Sequence, residues 1–133
     1  MIKLLIFTLT LLSFSVYGQE IINDDNFEKK VSGKSAFSDD GKNIVVVEFW
    51  ASFNSDNEFK DFKKLNGVSF YRCDISKSPS SKKEYSIKTI PTIIIYMDGI
   101  EKVKFKAGIG FTLSVTLEEL QEAIDELLEE SKF

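Results

Sequence analysis

The chain contains no histidine, and Cys73 is its single cysteine among 133 residues. The lack of histidine excludes a Ser-His-Asp or Cys-His catalytic device. It also leaves no set of His and Cys ligands for zinc or copper, so neither a metal site nor any other cofactor is predicted. One cysteine cannot form an internal disulfide, and it cannot supply the second thiol that resolves a mixed disulfide.

The chain also lacks an excess of positive charge, since 17 Lys and Arg residues stand against 21 Asp and Glu residues. No stretch is rich enough in Lys and Arg to predict a nucleic-acid partner. A hydrophobic content of 43% with 29% charged residues is typical of a globular protein. The length suits one domain with one hydrophobic core.

The N-terminus has the pattern of a secretory signal peptide. Lys3 supplies a positive charge, residues 4–12 are apolar except for two threonines, and residues 13–18 end on small residues. A membrane anchor is the alternative, but it needs about 20 apolar residues, and this stretch is shorter. We therefore expect a signal peptide at residues 1–18 and a mature domain at 19–133, located in the periplasm, in the cell envelope or outside the cell. The pattern does not decide whether the signal is cleaved or retained.

The mature sequence predicts an α/β fold with the element order β-α-β-α-β-α-β-β-α. Strands are expected at residues 20–22, 44–49, 68–75, 92–97 and 100–106. The first helix is expected to start at Asn23 or Asp24 and to run through Val31. The second should start at Asn54 or Ser55 and present Phe59, Phe62 and Leu65 as an apolar stripe. A short third helix follows near residues 82–85, and Thr116 with Glu119 predicts a capping box for the last helix.

Three features resemble the thioredoxin-like family, and together they cover nearly all of the mature sequence. The run V-V-V-E-F-W-A-S-F-N-S-D-N is similar to the family's strand, Trp-Ala pair, aromatic residue and C-x-x-C motif. Residues 85–92, Y-S-I-K-T-I-P-T, resemble the segment that leads into the family's cis-proline, here Pro91. The closing order of strand, Asp-Gly hairpin, strand, glycine and helix is also similar. The resemblance implies a thioredoxin-like fold, with a central mixed β-sheet flanked by helices.

The sequence departs from the family at the two cysteines, which align with Asn54 and Asn57. The amide side chains provide no thiol, so the family's dithiol exchange is excluded at these positions and the chain is interpreted as a redox-degenerate member. One interpretation of N-S-D-N is a stable helix start, with Asn54 as N-cap and Asp56 in the first turn. The other is a polar recognition patch that comprises Asn54, Ser55, Asp56 and Asn57.

The resemblance also implies a binding role for the residues beside the cis-proline. In the family, the backbone of the residue before this proline, here Ile90, pairs with an extended segment of the substrate. Such strand addition requires no cysteine. We therefore expect Thr89, Ile90 and Pro91 to contact an extended peptide or protein segment. Phe53 would add an exposed apolar contact, while Trp50 is expected to be mainly structural.

Two further positions follow from the strands. The resemblance places Glu48 at the family's buried carboxylate and Arg72 at its cationic partner, so we expect a buried ion pair retained for structure, because a buried carboxylate is costly unless paired. Cys73 lies on a predicted central strand. It is interpreted as a buried apolar side chain, with a lone reactive thiol as the alternative.

These observations predict an exported, non-catalytic module that binds peptide or protein segments. A thioredoxin-like thiol–disulfide oxidoreductase is one alternative. The other is a structural or assembly domain that contacts partners through its last helix or through residues Ala107–Val115. That stretch fits either an added edge strand or a partner surface. The sequence names no partner and indicates no oligomeric state.

Overall fold

A computed structural model describes residues 20–33 and 43–131 of the chain. The predicted signal peptide, and residues 34–42 between the first predicted helix and the second predicted strand, lie outside these ranges. The described part contains one sheet of five strands in the order β1-β3-β2-β4-β5. The strands are β1 (Glu20–Ile22), β2 (Ile44–Trp50), β3 (Ser69–Asp74), β4 (Thr92–Met97) and β5 (Ile100–Lys106).

The sheet is mixed, as expected. β3 runs parallel to both β1 and β2, whereas β4 is antiparallel to β2 and to β5. The central strand β2 is buried from Ile44 to Phe49. Its almost continuous run of β-branched and aromatic residues follows from burial on both faces, because neither face has to meet water.

Helices cover both faces of the sheet and make two cores. Phe27 and Val31 of α1 (Phe27–Ser32) pack with Phe49 and Tyr96 on one face. Further along that face lies α2 (Pro79–Glu84). The apolar stripe of α3 (Leu117–Glu130) packs on the other face. The predicted capping box of α3 is confirmed, since Glu119 N–H donates to Thr116 Oγ1 at 3.1 Å and Thr116 N–H donates to Glu119 Oε2 at 3.3 Å. The predicted thioredoxin-like α/β fold is therefore confirmed.

The predicted start of the first helix is wrong. Helix α1 begins at Phe27, and Asn23 to Asn26 form a turn in which Asn23 N–H donates to Asn26 Oδ1 at 2.8 Å. Asp24 stabilises a different helix. Its carboxylate accepts the N–H groups of Ser80 and Ser81 at 3.0 and 2.9 Å, in the first turn of α2. A side chain from a distant segment thus satisfies helix-terminal donors that α2 does not satisfy by itself.

The predicted second α-helix is also wrong. Two short 3-10 segments, Ser52–Asn57 and Phe62–Lys64, stand in its place, and Glu58 between them is extended. The predicted apolar stripe is nevertheless packed against the sheet, since Phe59 and Leu65 are buried and Phe62 stacks on Phe70 with ring centroids 5.2 Å apart. That these three side chains pack toward the sheet was predictable from the sequence, whereas the backbone conformation between them was not.

The segment Ala107–Val115 is not an added edge strand. It forms a turn in which Phe111 N–H donates to the Gly108 carbonyl at 3.0 Å, and Phe111 has a φ of 57°. An L-residue in this left-handed region is uncommon, and it ends any extended run.

Within residues 20–33 and 43–131, no helix has the length and apolar character needed to cross a membrane.

Candidate functional site

Asn54 joins three segments at the end of β2. Its Nδ2 donates to the carbonyl of Ile90 at 3.3 Å and to the carbonyl of Phe111 at 3.1 Å. Its Oδ1 accepts from Asn57 Nδ2 at 2.7 Å. Asn54 is therefore not the N-cap that the sequence predicts. The residue before the 3-10 segment is Ala51, and its carbonyl accepts the Asn54 N–H at 2.9 Å.

The peptide bond between Ile90 and Pro91 is cis. The Ile90 side chain is buried in the core, and its carbonyl accepts from the partly exposed Asn54. The carbonyl of Pro91 accepts the Ala107 N–H at 3.1 Å. By contrast, the Ile90 N–H donates to no acceptor among the residues that the structure describes. The cis-proline loop thus retains a backbone donor at the position where the resemblance implies pairing with a partner.

Two exposed aromatic residues belong to the segments that Asn54 joins to this loop. Phe53 is 82% exposed and Phe111 is 50% exposed, and the backbone of Phe111 is held next to Asn54. Ile109, at the tip of the same turn, is fully exposed. The sequence indicated the stretch Ala107–Val115, but the edge strand that it suggested is not the conformation of this segment. We define Phe53 and Phe111 as the aromatic rim.

The other predicted site residues form fewer contacts with the cis-proline loop. Ser55 and Asp56 are exposed in the 3-10 segment, and no hydrogen bond joins either side chain to the described part of the cis-proline loop. Thr89 is partly buried, and its carbonyl accepts from Thr92 Oγ1 at 2.7 Å. Trp50 is partly buried, and its indole N–H meets no acceptor in the described chain. The structure therefore brings Asn54, Asn57 and Ile90 together, and it leaves Ser55 and Asp56 at the margin.

A buried ion pair lies beneath the site. Glu48 of β2 and Arg72 of β3 are paired in the sheet register, and Arg72 Nε donates to Glu48 Oε1 at 2.8 Å. Both side chains are shielded, with 0% of Glu48 and 8% of Arg72 exposed. Burial raises the pKa of the Glu48 carboxyl, while the Arg72 guanidinium beside it opposes that rise.

The same ion pair fixes the backbone of Phe59. Glu48 Oε2 accepts the Phe59 N–H at 2.7 Å, and Arg72 Nη2 donates to the Phe59 carbonyl at 3.1 Å. The Phe59 N–H is thereby unavailable for the i, i+4 hydrogen bond of an α-helix, and the carbonyl is directed at Arg72. This explains why the chain is extended at Glu58 instead of continuing as the predicted helix. Arg72 also pairs with Glu58 at 3.2 Å, and its Cζ lies 5.6 Å from the centroid of the Trp50 ring.

Cys73 neighbours this ion pair in sequence but points to the opposite face of the sheet. Its side chain is fully buried in the core that contains Phe27 and Phe49. Burial raises the pKa of the thiol to about 11. Since the thiolate is the nucleophilic form, the position lacks both the access and the charge state that thiol chemistry requires.

The strand order, the cis-proline loop and the turn at the end of β2 together define a protein with the thioredoxin fold. The Thioredoxin family model matches residues 19–126, so the chain belongs to the thioredoxin family. No curated protein matches its sequence.

Solved structures show the same fold at low sequence identity. A designed protein is similar with a TM-score of 0.61 and 21% identity, over 83% of this chain and 97% of that one. Thioredoxin f2 of Chlamydomonas reinhardtii is similar with a TM-score of 0.60 and 15% identity, over 83% of this chain and 96% of that one.

The buried ion pair predicts strong coupling between its two residues. Arg72→Met should lower the free energy of unfolding by about 3–5 kcal/mol in the wild type, because it leaves an uncompensated carboxylate in the core. The same substitution should cost clearly less in the Glu48→Gln background. Urea denaturation of the four proteins of this cycle measures the coupling. Additive losses would contradict the pairing.

A matched control and a pH series sharpen this experiment. Glu58→Gln removes the partly exposed partner of Arg72, and we expect a loss of about 1 kcal/mol or less. In Arg72→Met, burial still raises the pKa of Glu48 and the guanidinium no longer opposes that rise, so the folded state binds the extra proton. The stability of this variant should therefore fall as the pH rises above about 4.3, the value for an unfolded Glu. A stability that rises over that range would contradict the assignment.

Cys73 is expected to be inert in the native protein. Iodoacetamide near neutral pH should leave the folded chain unmodified and should alkylate it fully once the chain is unfolded in guanidinium chloride, as measured by mass spectrometry. The reason is the combination of full burial with a pKa of about 11. Rapid, stoichiometric labelling of the native protein would show that the thiol is accessible.

Proposed function

We propose that the protein is a non-catalytic binding module that holds an extended peptide or protein segment against the cis-proline loop. The observation that carries this proposal is the Ile90 N–H, which has no acceptor in the described chain although it lies beside Asn54 and Pro91. Backbone N–H groups are strong hydrogen-bond donors, and this one has no partner within the described chain. A carbonyl of an added strand would satisfy this donor in the manner of β-strand addition.

The aromatic rim supports the same proposal. Phe53 and Phe111 are held near the cis-proline loop by the two hydrogen bonds of Asn54, and both expose much of their ring surface to water. Exposed apolar side chains grouped beside polar groups are typical of interaction sites. Asn54 itself contributes position, because its amide ties the two aromatic segments to the loop.

The residues at the redox positions also favour binding over catalysis. In the alignment on Trp50-Ala51, Asn54 and Asn57 stand where the family carries its two thiols. Their side chains bond to each other at 2.7 Å, and neither can be oxidised to a disulfide. The thiol–disulfide oxidoreductase alternative would depend on Cys73 alone. Insulin reduction by dithiothreitol should therefore proceed at its uncatalysed rate; turnover that disappears in Cys73→Ser would overturn this part of the proposal.

Binding can be measured with reduced and S-alkylated ribonuclease A, an unfolded probe without free thiols. We expect the wild type to bind the fluorescently labelled probe and Phe53→Ser/Phe111→Ser to bind it about tenfold or more weakly, because aromatic contacts often contribute 1 kcal/mol or more each. Fluorescence anisotropy gives the affinity. The amide resonance of Ile90 should shift on binding, as the proposed backbone pairing requires.

Ile21→Ser/Ile100→Ser is the matched control, because these side chains are 57% and 61% exposed on other strands. Equal weakening in the two double variants, or an unchanged Ile90 resonance, would contradict the proposed site.

A photoreactive group at Phe53, compared with one at the exposed Glu122 of α3, tests the alternative of a structural domain that binds through its last helix. Crosslinking from Glu122 alone would favour that alternative.

We further propose that the module acts outside the cytosol after loss of residues 1–18. The support is the charged, apolar and small-residue pattern of the N-terminus. Fractionation of cells that express the full chain should place the protein in the exported fraction, and N-terminal sequencing should begin at Gln19. Cytosolic protein that retains Met1 would contradict export.

A further inference from the structure

A groove next to the candidate site runs along the α2 side of the molecule. Its volume is about 480 Å³, and its lining contains both apolar residues and lysines. Its lining residues are Ile75, Pro79, Ile87, Lys82, Lys83, Lys88 and Ser86. We call it the lysine groove.

Two segments link the lysine groove to the candidate site. Ile75 follows β3, and its N–H donates to the Trp50 carbonyl at 2.9 Å, so this residue joins the groove to the end of β2. Ile87 and Lys88 lead directly into Thr89, Ile90 and Pro91. The groove therefore lies within a few residues of the cis-proline loop, a distance that one extended segment can span.

The charge of the lysine groove is opposite to that of the whole protein. The formal net charge of the chain is −4, yet no carboxylate lines the groove. Lys82, Lys83 and Lys88 are exposed, and none of them forms an ion pair with a carboxylate in residues 20–33 or 43–131. Three uncompensated ammonium groups on one small surface favour an anionic partner and disfavour a cationic one.

We propose that the lysine groove binds acidic side chains of the same extended segment that occupies the candidate site. The partner is then a polypeptide in which apolar residues, placed against the aromatic rim, are flanked by Asp or Glu. This inference rests on the proposed function and adds the chemical character of the bound segment. The apolar contacts supply much of the affinity, and the lysines supply selectivity and faster association.

Three short synthetic peptides test the selectivity. They share a central apolar segment and differ only in the flanking residues, which are Glu, Ser or Lys. At low ionic strength we expect the Glu-flanked peptide to bind the wild type about tenfold more tightly than the Ser-flanked peptide, and the Lys-flanked peptide to bind most weakly. The preference should decrease as salt is added, because exposed charges are screened.

A charge-reversal pair assigns the effect to the groove. Lys82→Glu/Lys88→Glu should abolish the preference for the Glu-flanked peptide while it retains the affinity for the Ser-flanked one. Lys29→Glu/Lys63→Glu makes the same change in net charge at exposed positions outside the groove, and it should retain most of the preference.

The outcomes separate the two proposals. Equal affinity of the wild type for the Glu-flanked and Ser-flanked peptides would overturn the acidic partner and leave the binding function standing. Equal loss of preference in the two charge-reversal variants would overturn the assignment to the groove. Failure of all three peptides and of the unfolded ribonuclease probe to bind would overturn both proposals. Preferential retention on phosphatidylserine vesicles over the Glu-flanked peptide would replace the polypeptide partner by an anionic membrane surface.

Discussion

The ion pair of Glu48 and Arg72 is the interaction on which the region around the candidate site depends. Each residue alone would be a costly buried charge, and together they also bind the N–H and the carbonyl of Phe59. The ion pair therefore also has a role beyond neutralising its own two charges. It holds an irregular segment against the sheet where an α-helix would otherwise satisfy its own backbone, and it reaches the Trp50 ring through Arg72. In this way a charge pair inside the sheet determines the conformation of the chain that follows the site.

The site is organised by hydrogen bonds of a side-chain amide. Asn54 donates to the carbonyls of Ile90 and Phe111, which lie far apart in the sequence, and it accepts from Asn57. A thiol at the same position would be a much weaker donor. Asn54 thus fastens the cis-proline loop to the turn that contains Phe111.

The sequence anticipated much of this architecture and failed where tertiary contacts compete with local preferences. The periods of the strands and the Thr116–Glu119 capping box were predictable because they are local signals. The role of Asn54 as an N-cap was predicted incorrectly, since the amide finds carbonyl partners on two other loops. Asp24 was assigned to the wrong helix for the same reason. The prediction of the second helix was wrong because Glu48 and Arg72 form hydrogen bonds with both backbone groups of Phe59. Local helix propensity does not include such tertiary hydrogen bonds.

The sequence by itself determined which kinds of site the composition excludes, and it determined the family. The absence of histidine, the single Cys73, the Trp50-Ala51 pair and Pro91 are properties of the chain that no packing can change. Only the tertiary structure decided which groups meet: that Asn54 joins the segments of Phe53 and Phe111 to the cis-proline loop, that the Ile90 N–H lacks an acceptor in the described chain, and that three lysines share a groove. The physical reason is that these contacts join residues distant in sequence, so their geometry is set by the sheet register and the buried ion pair and not by local preference.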